Sequence, residues 1–360
     1  MTYFDSFTSC TAAGSGNQSW VASADRREIQ CSRVYFRLAR DTEVCALLYS
    51  NTIDSTYSDG SHSHTNFVPD EWTIHALRVG AVKSCSETDC AEPERFTDVL
   101  FDGKTSRRVM PGELFASDPF PFRAKKGDTL CIEMRYSGAQ IPCHIESLLP
   151  AFRRAGDRWL RCTEVPFPSM VGTKRAAETR LGFLGDSITQ GIGTGINSYA
   201  HAAALVQEAL GQSCAVWDLG LGFGRAHDAA LDGAWLFKAR QNDIVSVCFG
   251  VNDLFQTGDV KQLKKDLQTI LRSLKQSGVR TLLQTVPPFD YALEYRPLWQ
   301  EVNDYIRGEL SKEADALFDN VPVLCKSANE PYASRYGGHP NAEGNAAWAR
   351  ALLPVIRGLL

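Results

Sequence analysis

Leu184-Gly185-Asp186-Ser187-Ile188-Thr189-Gln190-Gly191 is the stretch on which the reading of this chain turns. It continues the apolar run Leu181-Gly182-Phe183-Leu184 and precedes a stretch from Ser198 to Leu210 with helical character. Four apolar residues bounded by glycine read as a buried strand, and the glycine-containing tail after the serine reads as a loop opening a helix. Ser187 then sits at the carboxyl end of a parallel strand, where open α/β sheets place their ligands. The N–H groups of such a turn also favour negative charge beside the hydroxyl. Taken alone, Gly-Asp-Ser reads as a plain turn, because all three residues favour turns for local reasons.

Two later segments give the serine a chemical context. Ile244-Val245-Ser246-Val247-Cys248-Phe249 is a second buried-strand run and ends in Gly250-Val251-Asn252-Asp253. An asparagine just past a strand end can aim its amide at a developing oxyanion, a contribution of roughly 3–4 kcal/mol where it has been measured by mutation. Near the C-terminus, Tyr336-Gly337-Gly338-His339-Pro340-Asn341 puts a histidine in a glycine-rich loop directly before a helix starting at Pro340 or Asn341. An imidazole in a loop is free to reach a nucleophile.

These three blocks, in this order and spacing, resemble the SGNH/GDSL hydrolase family over roughly residues 178–360. The resemblance implies a flavodoxin-like three-layer α/β/α fold and ester hydrolysis with neither a metal nor an organic cofactor. It also implies Ser187 as nucleophile, His339 as general base, and Asn252 as an oxyanion donor beside the N–H of Ser187. The family adds a glycine N–H from the loop after the second strand. Its spacing lands on Phe223, so Gly222 and Gly224 are both candidates. Asp186 and Arg225 are the candidate substrate contacts at the cleft, although Asp186 also suits a turn.

One position departs from the family pattern. Three residues before the histidine the family carries an aspartate that orients the imidazole, and here Tyr336 stands there. Either a Ser–His dyad with a carbonyl partner or an acid from elsewhere in the chain is expected, with Glu330 and Asp253 as the alternatives.

The first 170 residues read differently. Short strand candidates recur at 34–38, 44–49, 73–79, 96–101 and 129–134, separated by Gly, Ser, Asp and Pro clusters. That pattern predicts an antiparallel sandwich rather than βαβ units. Tyr49-Ser50-Asn51, Phe101-Asp102-Gly103 and Ala116-Ser117-Asp118-Pro119 make this part, residues 1–170, resemble the jelly-roll-like domain preceding some bacterial SGNH hydrolases, with the hydrolase domain at 178–360. Cys162 to Arg180, with two prolines and a mixed-charge run, reads as a linker or surface crossing. In the second half, Asp259–Ser277 has apolar residues at helical spacing, 280–286 is a strand, 298–316 a helix, and 342–359 a closing helix that Pro354 should bend or end. The aromatic-rich loop 289–297 is a candidate wall for the substrate pocket.

The chain has 360 residues, 44% hydrophobic and 22% charged, with a net charge of −4. There is no basic excess to neutralise phosphates, so neither nucleic acid nor an anionic membrane is an expected partner. No secretory leader is visible and no apolar run is long enough to span a bilayer, so a cytoplasmic location is expected. Eleven cysteines, an odd count at irregular spacing, are expected to be reduced. Cys85 with Cys90 invites a metal reading, but no second Cys pair or His follows at zinc-finger spacing and reduced thiols are expected; Asp59 with His62 and His64 invites another, but no third ligand is fixed and solvated imidazoles are expected. The resulting expectation is a serine esterase acting on small acyl esters, acetyl in particular, carried on carbohydrate or another small molecule. A lysophospholipase or thioesterase, or a glycan-binding protein with a decayed site, are the alternatives.

Overall fold

A computed structural model describes residues 2–23, 25–56, 64–174, 176–327, 330–331, 334–336 and 338–360. The C-terminal half is built on a five-stranded parallel sheet in the order Cys214–Gly220, Thr179–Gly185, Ile244–Cys248, Arg280–Gln284, Ala316–Phe318. In sequence terms that is 2-1-3-4-5, the doubly wound order whose switch point lies between strands one and three. Those two strands run in register from Leu181 opposite Ile244 to Gly185 opposite Cys248. They are buried throughout apart from a partly exposed Arg180, as strands covered by helices on both faces must be.

The helices fall into two groups. Ala342–Leu359 packs with Ala202–Leu210, whereas Val260–Gln276 packs with Ala226–Ala230 and Arg296–Gly308. Val260–Gln276 is capped by Asp259, whose carboxylate accepts from the Gln262 N–H at 2.9 Å, and it buries Leu263, Leu267, Ile270, Leu271 and Leu274. The result is the three-layer α/β/α architecture anticipated from the sequence.

Before it lie antiparallel sheets. One sheet has Thr42–Ser50 at its centre, flanked by Met170–Thr173 on one side and by Leu114–Ala116 and Phe120–Ala124 on the other. The other sheet runs Arg158–Arg161, Ala151–Ala155, Gln30–Arg37, Thr129–Gly138, Trp72–Val82, Thr97–Asp98. Leu47 and Tyr49 of the first meet Val34, Phe36, Leu77, Ile132 and Met134 of the second in one apolar core.

Four local expectations are corrected. Met170–Thr173, read as linker, is a fully buried strand between Thr8–Ser9 and Thr42–Ser50, because its short apolar run has a partner on each edge. The stretch 96–101 forms a strand only over Thr97–Asp98, with Val99 still donating to the Leu77 carbonyl, and then turns so that Phe101 bridges Lys104. The helix expected from Ser198 starts at Ala202, since Asn197 and Tyr199 hold left-handed φ of 58° and 52°. The Tyr199 hydroxyl accepts there from the Arg37 N–H at 2.8 Å. Pro354 does not end Ala342–Leu359, because Leu352 and Ile356 on either side are fully buried and their packing outweighs the missing donor. Among the described residues, no helix is long and apolar enough to cross a membrane.

Candidate active site

The nucleophile turn is set by sterics. A Cβ on Gly185 would stand 2.1 Å from Thr189 Oγ1 and 2.5 Å from the Cys248 carbonyl, so only glycine lets the chain leave the strand here. Asp186 then caps the single helical turn Ser187–Gln190, its Oδ1 accepting from the Ile188 N–H at 2.9 Å. Gly191, at φ 95°, ends the turn. Ser187 is left half-buried at the first helical position, with its hydroxyl at the sheet edge.

His339 arrives from the opposite end of the sequence. It lies in the short strand His339–Pro340, whose backbone pairs with Ser334–Tyr336, and Tyr336 is opposite His339. The next helix begins at Asn341, whose side chain accepts from the N–H groups of Glu343 and Gly344. Asn345 further anchors the loop by donating to the Pro340 carbonyl at 2.8 Å. His339 Nε2 is thereby brought to 2.8 Å from Ser187 Oγ. The ring is 8% exposed and meets the Phe289 ring edge to face at 5.3 Å, so the loop 289–297 does border this pair.

Asn252 enters on the helix Val251–Gln256, which follows the neighbouring strand after Gly250 at φ 123°. Its Nδ2 donates one hydrogen to the Gly224 carbonyl at 2.9 Å, which fixes the carboxamide and leaves its second hydrogen for another acceptor. Gly222 and Gly224 differ. The Gly224 N–H closes a turn on the Leu221 carbonyl at 3.0 Å, so the hydrogen an oxyanion would need is already spent. Gly224 therefore serves through its carbonyl, as the support of Asn252.

Two proposed substrate contacts are corrected. Asp186 is fully buried and occupied with its cap, so it does not face the cleft. Burial raises its pKa to about 7, the Ile188 N–H opposing and the Asp253 charge adding to the shift. Arg225 is 7% exposed and forked onto Asp228, Nη2 to Oδ1 at 2.7 Å and Nε to Oδ2 at 3.2 Å. That carboxylate also accepts from the hydroxyls of Ser55 and Thr65, so Arg225 ties the two halves together instead of binding a ligand.

Asp253 does not orient His339: its carboxylate accepts from the N–H groups of Ala226 at 3.0 Å and His227 at 3.2 Å. The side chains of Glu330 and Tyr336, together with Asp59 and His62, lie outside what the structure describes. Among the described residues, no group of three or more His, Cys, Asp or Glu is placed to hold a metal ion. His64 meets the Trp20 ring edge to face at 5.0 Å.

Several groups next to the site were not anticipated. Gln18 donates to the Gly222 carbonyl at 2.8 Å, and His144 meets Gln190, three residues after Ser187, at 2.8 Å. Nothing in their local sequence signals this, because the contacts join positions more than forty residues apart.

Comparison with known proteins adds the family. Residues 183–347 match the GDSL-like lipase/acylhydrolase family. A search of curated proteins returns no match to the chain. Solved structures similar to it include an acetyl xylan esterase, 23% identical, with 49% of this chain covering 99% of that one at a TM-score of 0.41. An esterase from Pseudoalteromonas sp. is 16% identical over 50% of this chain and 98% of that chain, TM-score 0.40. A lipolytic G-D-S-L family member from Veillonella parvula is 13% identical over 49% and 98%, also at 0.40.

Proposed function

We propose that this chain, whose residues 183–347 belong to the GDSL-like lipase/acylhydrolase family, is a serine esterase that removes small acyl groups, acetyl above all, from carbohydrate. The observation that carries the chemistry is the 2.8 Å contact between Ser187 Oγ and His339 Nε2 at the switch point of the sheet, with the Asn252 amide on the neighbouring strand end.

The reaction follows from these groups. His339 Nε2 takes the hydroxyl proton as Ser187 Oγ bonds to the ester carbonyl carbon. The electron pair displaced onto the carbonyl oxygen is met by the second Asn252 hydrogen and by the N–H groups of Ser187 and Gly222. Collapse expels the alcohol, which leaves with the proton from His339. Water, deprotonated by the same imidazole, then releases the acid and restores Ser187. No cofactor, nucleic acid or membrane enters this scheme.

The sugar side of the reading is supported by the rings beyond Phe289. Phe255, one helical turn after Asn252, is 47% exposed. It lies nearly parallel to Tyr295 at 6.0 Å and edge to face with Phe289 at 5.7 Å. Exposed aromatic faces contiguous with a reacting centre are binding surface, and flat rings suit the C–H face of a pyranose. Rates on nitrophenyl esters from acetate to palmitate, set beside acetylated xylo-oligosaccharides, test the reading. It expects a maximum at acetate and further acceleration on the sugar ester. A maximum at long chains would favour a lysophospholipase or thioesterase, and inactivity on every ester a glycan-binding protein.

A further inference from the structure

We infer that Gln18, in the strand-rich N-terminal half, is a positioning residue for the oxyanion loop, so that the esterase site is completed by both halves of the chain. The inference rests on the esterase reading and deepens it.

The geometry leaves the Gln18 side chain one orientation. It is 1% exposed, and it bridges two backbone groups whose roles are fixed. The Ile145 N–H can only donate and does so to Oε1 at 3.1 Å, while the Gly222 carbonyl can only accept and does so from Nε2 at 2.8 Å. The assignment of the amide therefore follows from its partners. Its main chain is held as well, by donation from the Gln18 N–H to the Cys143 carbonyl at 3.0 Å.

The same short segment grips the nucleophile turn. The Gly16 carbonyl lies 2.9 Å from His144 Nδ1, which must carry the proton, so His144 Nε2 accepts from Gln190 Nε2 at 2.8 Å. Gln190 is the last residue of the turn that Ser187 opens. Residues 16 and 18 thus reach, through buried hydrogen bonds, both the loop that carries Gly222 and the turn that carries Ser187. A Cβ on Gly222 would stand 3.2 Å from Gln18 Nε2 and 3.3 Å from Gln190 Oε1, so the loop, the clamp and the turn are in mutual contact. The peptide that Gln18 holds adjoins the one whose N–H meets the oxyanion. Removing that restraint loosens a donor used only in the transition state, which lowers kcat and leaves KM in place.

The test replaces Gln18 by Met, which keeps the volume without the donor, and by Glu, which keeps the acceptor for Ile145. Ser15→Ala is the control: Ser15 Oγ donates to the Asp218 carbonyl at 2.9 Å and accepts from Trp217 Nε1 at 3.0 Å, tying the same segment to the neighbouring strand. Expected are a fall in kcat of about tenfold or more for both Gln18 variants, with KM within twofold. The inactivation rate by a fluorophosphonate should fall in parallel, whereas Ser15→Ala lowers Tm with kcat unchanged. Gln18 variants with wild-type kcat and wild-type inactivation rate overturn the inference, whatever their Tm. If Gln18→Met fails to fold, Gln18→Glu decides by the same criteria. A wild type inactive on all esters would instead sink the esterase reading itself.

Discussion

In the C-terminal half, neighbouring parallel strands end on one edge and are followed by Ser187 and Asn252, and the loop before the last helix brings His339 to the Ser187 hydroxyl although 152 residues separate the two. In the N-terminal half, antiparallel strands alternate direction, and polar groups near residues 16–18 and 144–146 lean across to the site. The difference teaches where chemistry comes from and where rigidity comes from. The parallel sheet brings Ser187 and Asn252 in behind its strand ends, a separate antiparallel pair before the last helix brings His339, and the strand-rich half holds the loops around them.

That division can be broken experimentally. The largest effect is expected from Ser187→Ala or His339→Ala, with kcat falling about 10⁴-fold or more while Tm stays near that of the wild type. A hydrolysis rate within tenfold of the wild type would move the chemistry elsewhere. Next comes the buried pair joining the halves, Lys238 Nζ to Asp54 Oδ2 at 2.5 Å, with side chains 1% and 0% exposed. Lys238→Met strands the carboxylate and should cost about 3–5 kcal/mol in denaturant unfolding, against about 0–1 kcal/mol if the halves were joined only by surface pairs.

Asn252→Ala removes one oxyanion donor and should lower kcat about 10²- to 10³-fold with little change in KM. A change confined to KM would make Asn252 a substrate contact. A smaller effect concerns Asp186, whose burial lifts its pKa to about 7. The folded protein then holds a proton that the unfolded chain has released. That contribution is complete below the ordinary carboxyl pKa and is lost as pH rises through about 7. Asn keeps the capping oxygen without the charge, so the Tm of Asp186→Asn relative to wild type should climb between pH 5 and pH 8. A constant difference across that range would contradict the burial argument. Smallest is the cap of the final helix: Asn341→Ala removes the acceptor for Glu343 and Gly344 and should cost about 1 kcal/mol.

The sequence made some of this legible for physical reasons. Leu181 to Leu184, and Ile244 to Phe249, are apolar runs because strands covered on both faces must be, and the glycines after them mark where the chain turns to present Ser187 and Asn252. Local pattern misled where a tertiary contact decided. Met170–Thr173 looked like linker until its two strand neighbours were placed, and of the two expectations for Pro354, a bend or an end, the burial of Leu352 and Ile356 removes the end. Arg225 was expected in the cleft because it follows the glycine loop, but a carboxylate three residues on captures it. Gln18 was invisible for the same reason in reverse, since its partner lies 204 residues away.

The account stands on Ser187 acting as a nucleophile driven by His339. Intact-mass and peptide mass spectrometry after treatment with a fluorophosphonate addresses this directly. One adduct is predicted, on Ser187, forming with a pH dependence set by one imidazole and absent from Ser187→Ala and nearly so from His339→Ala. Labelling of the Ser187→Ala protein at the wild-type rate, or a wild type that takes up no label while it hydrolyses esters, would contradict it.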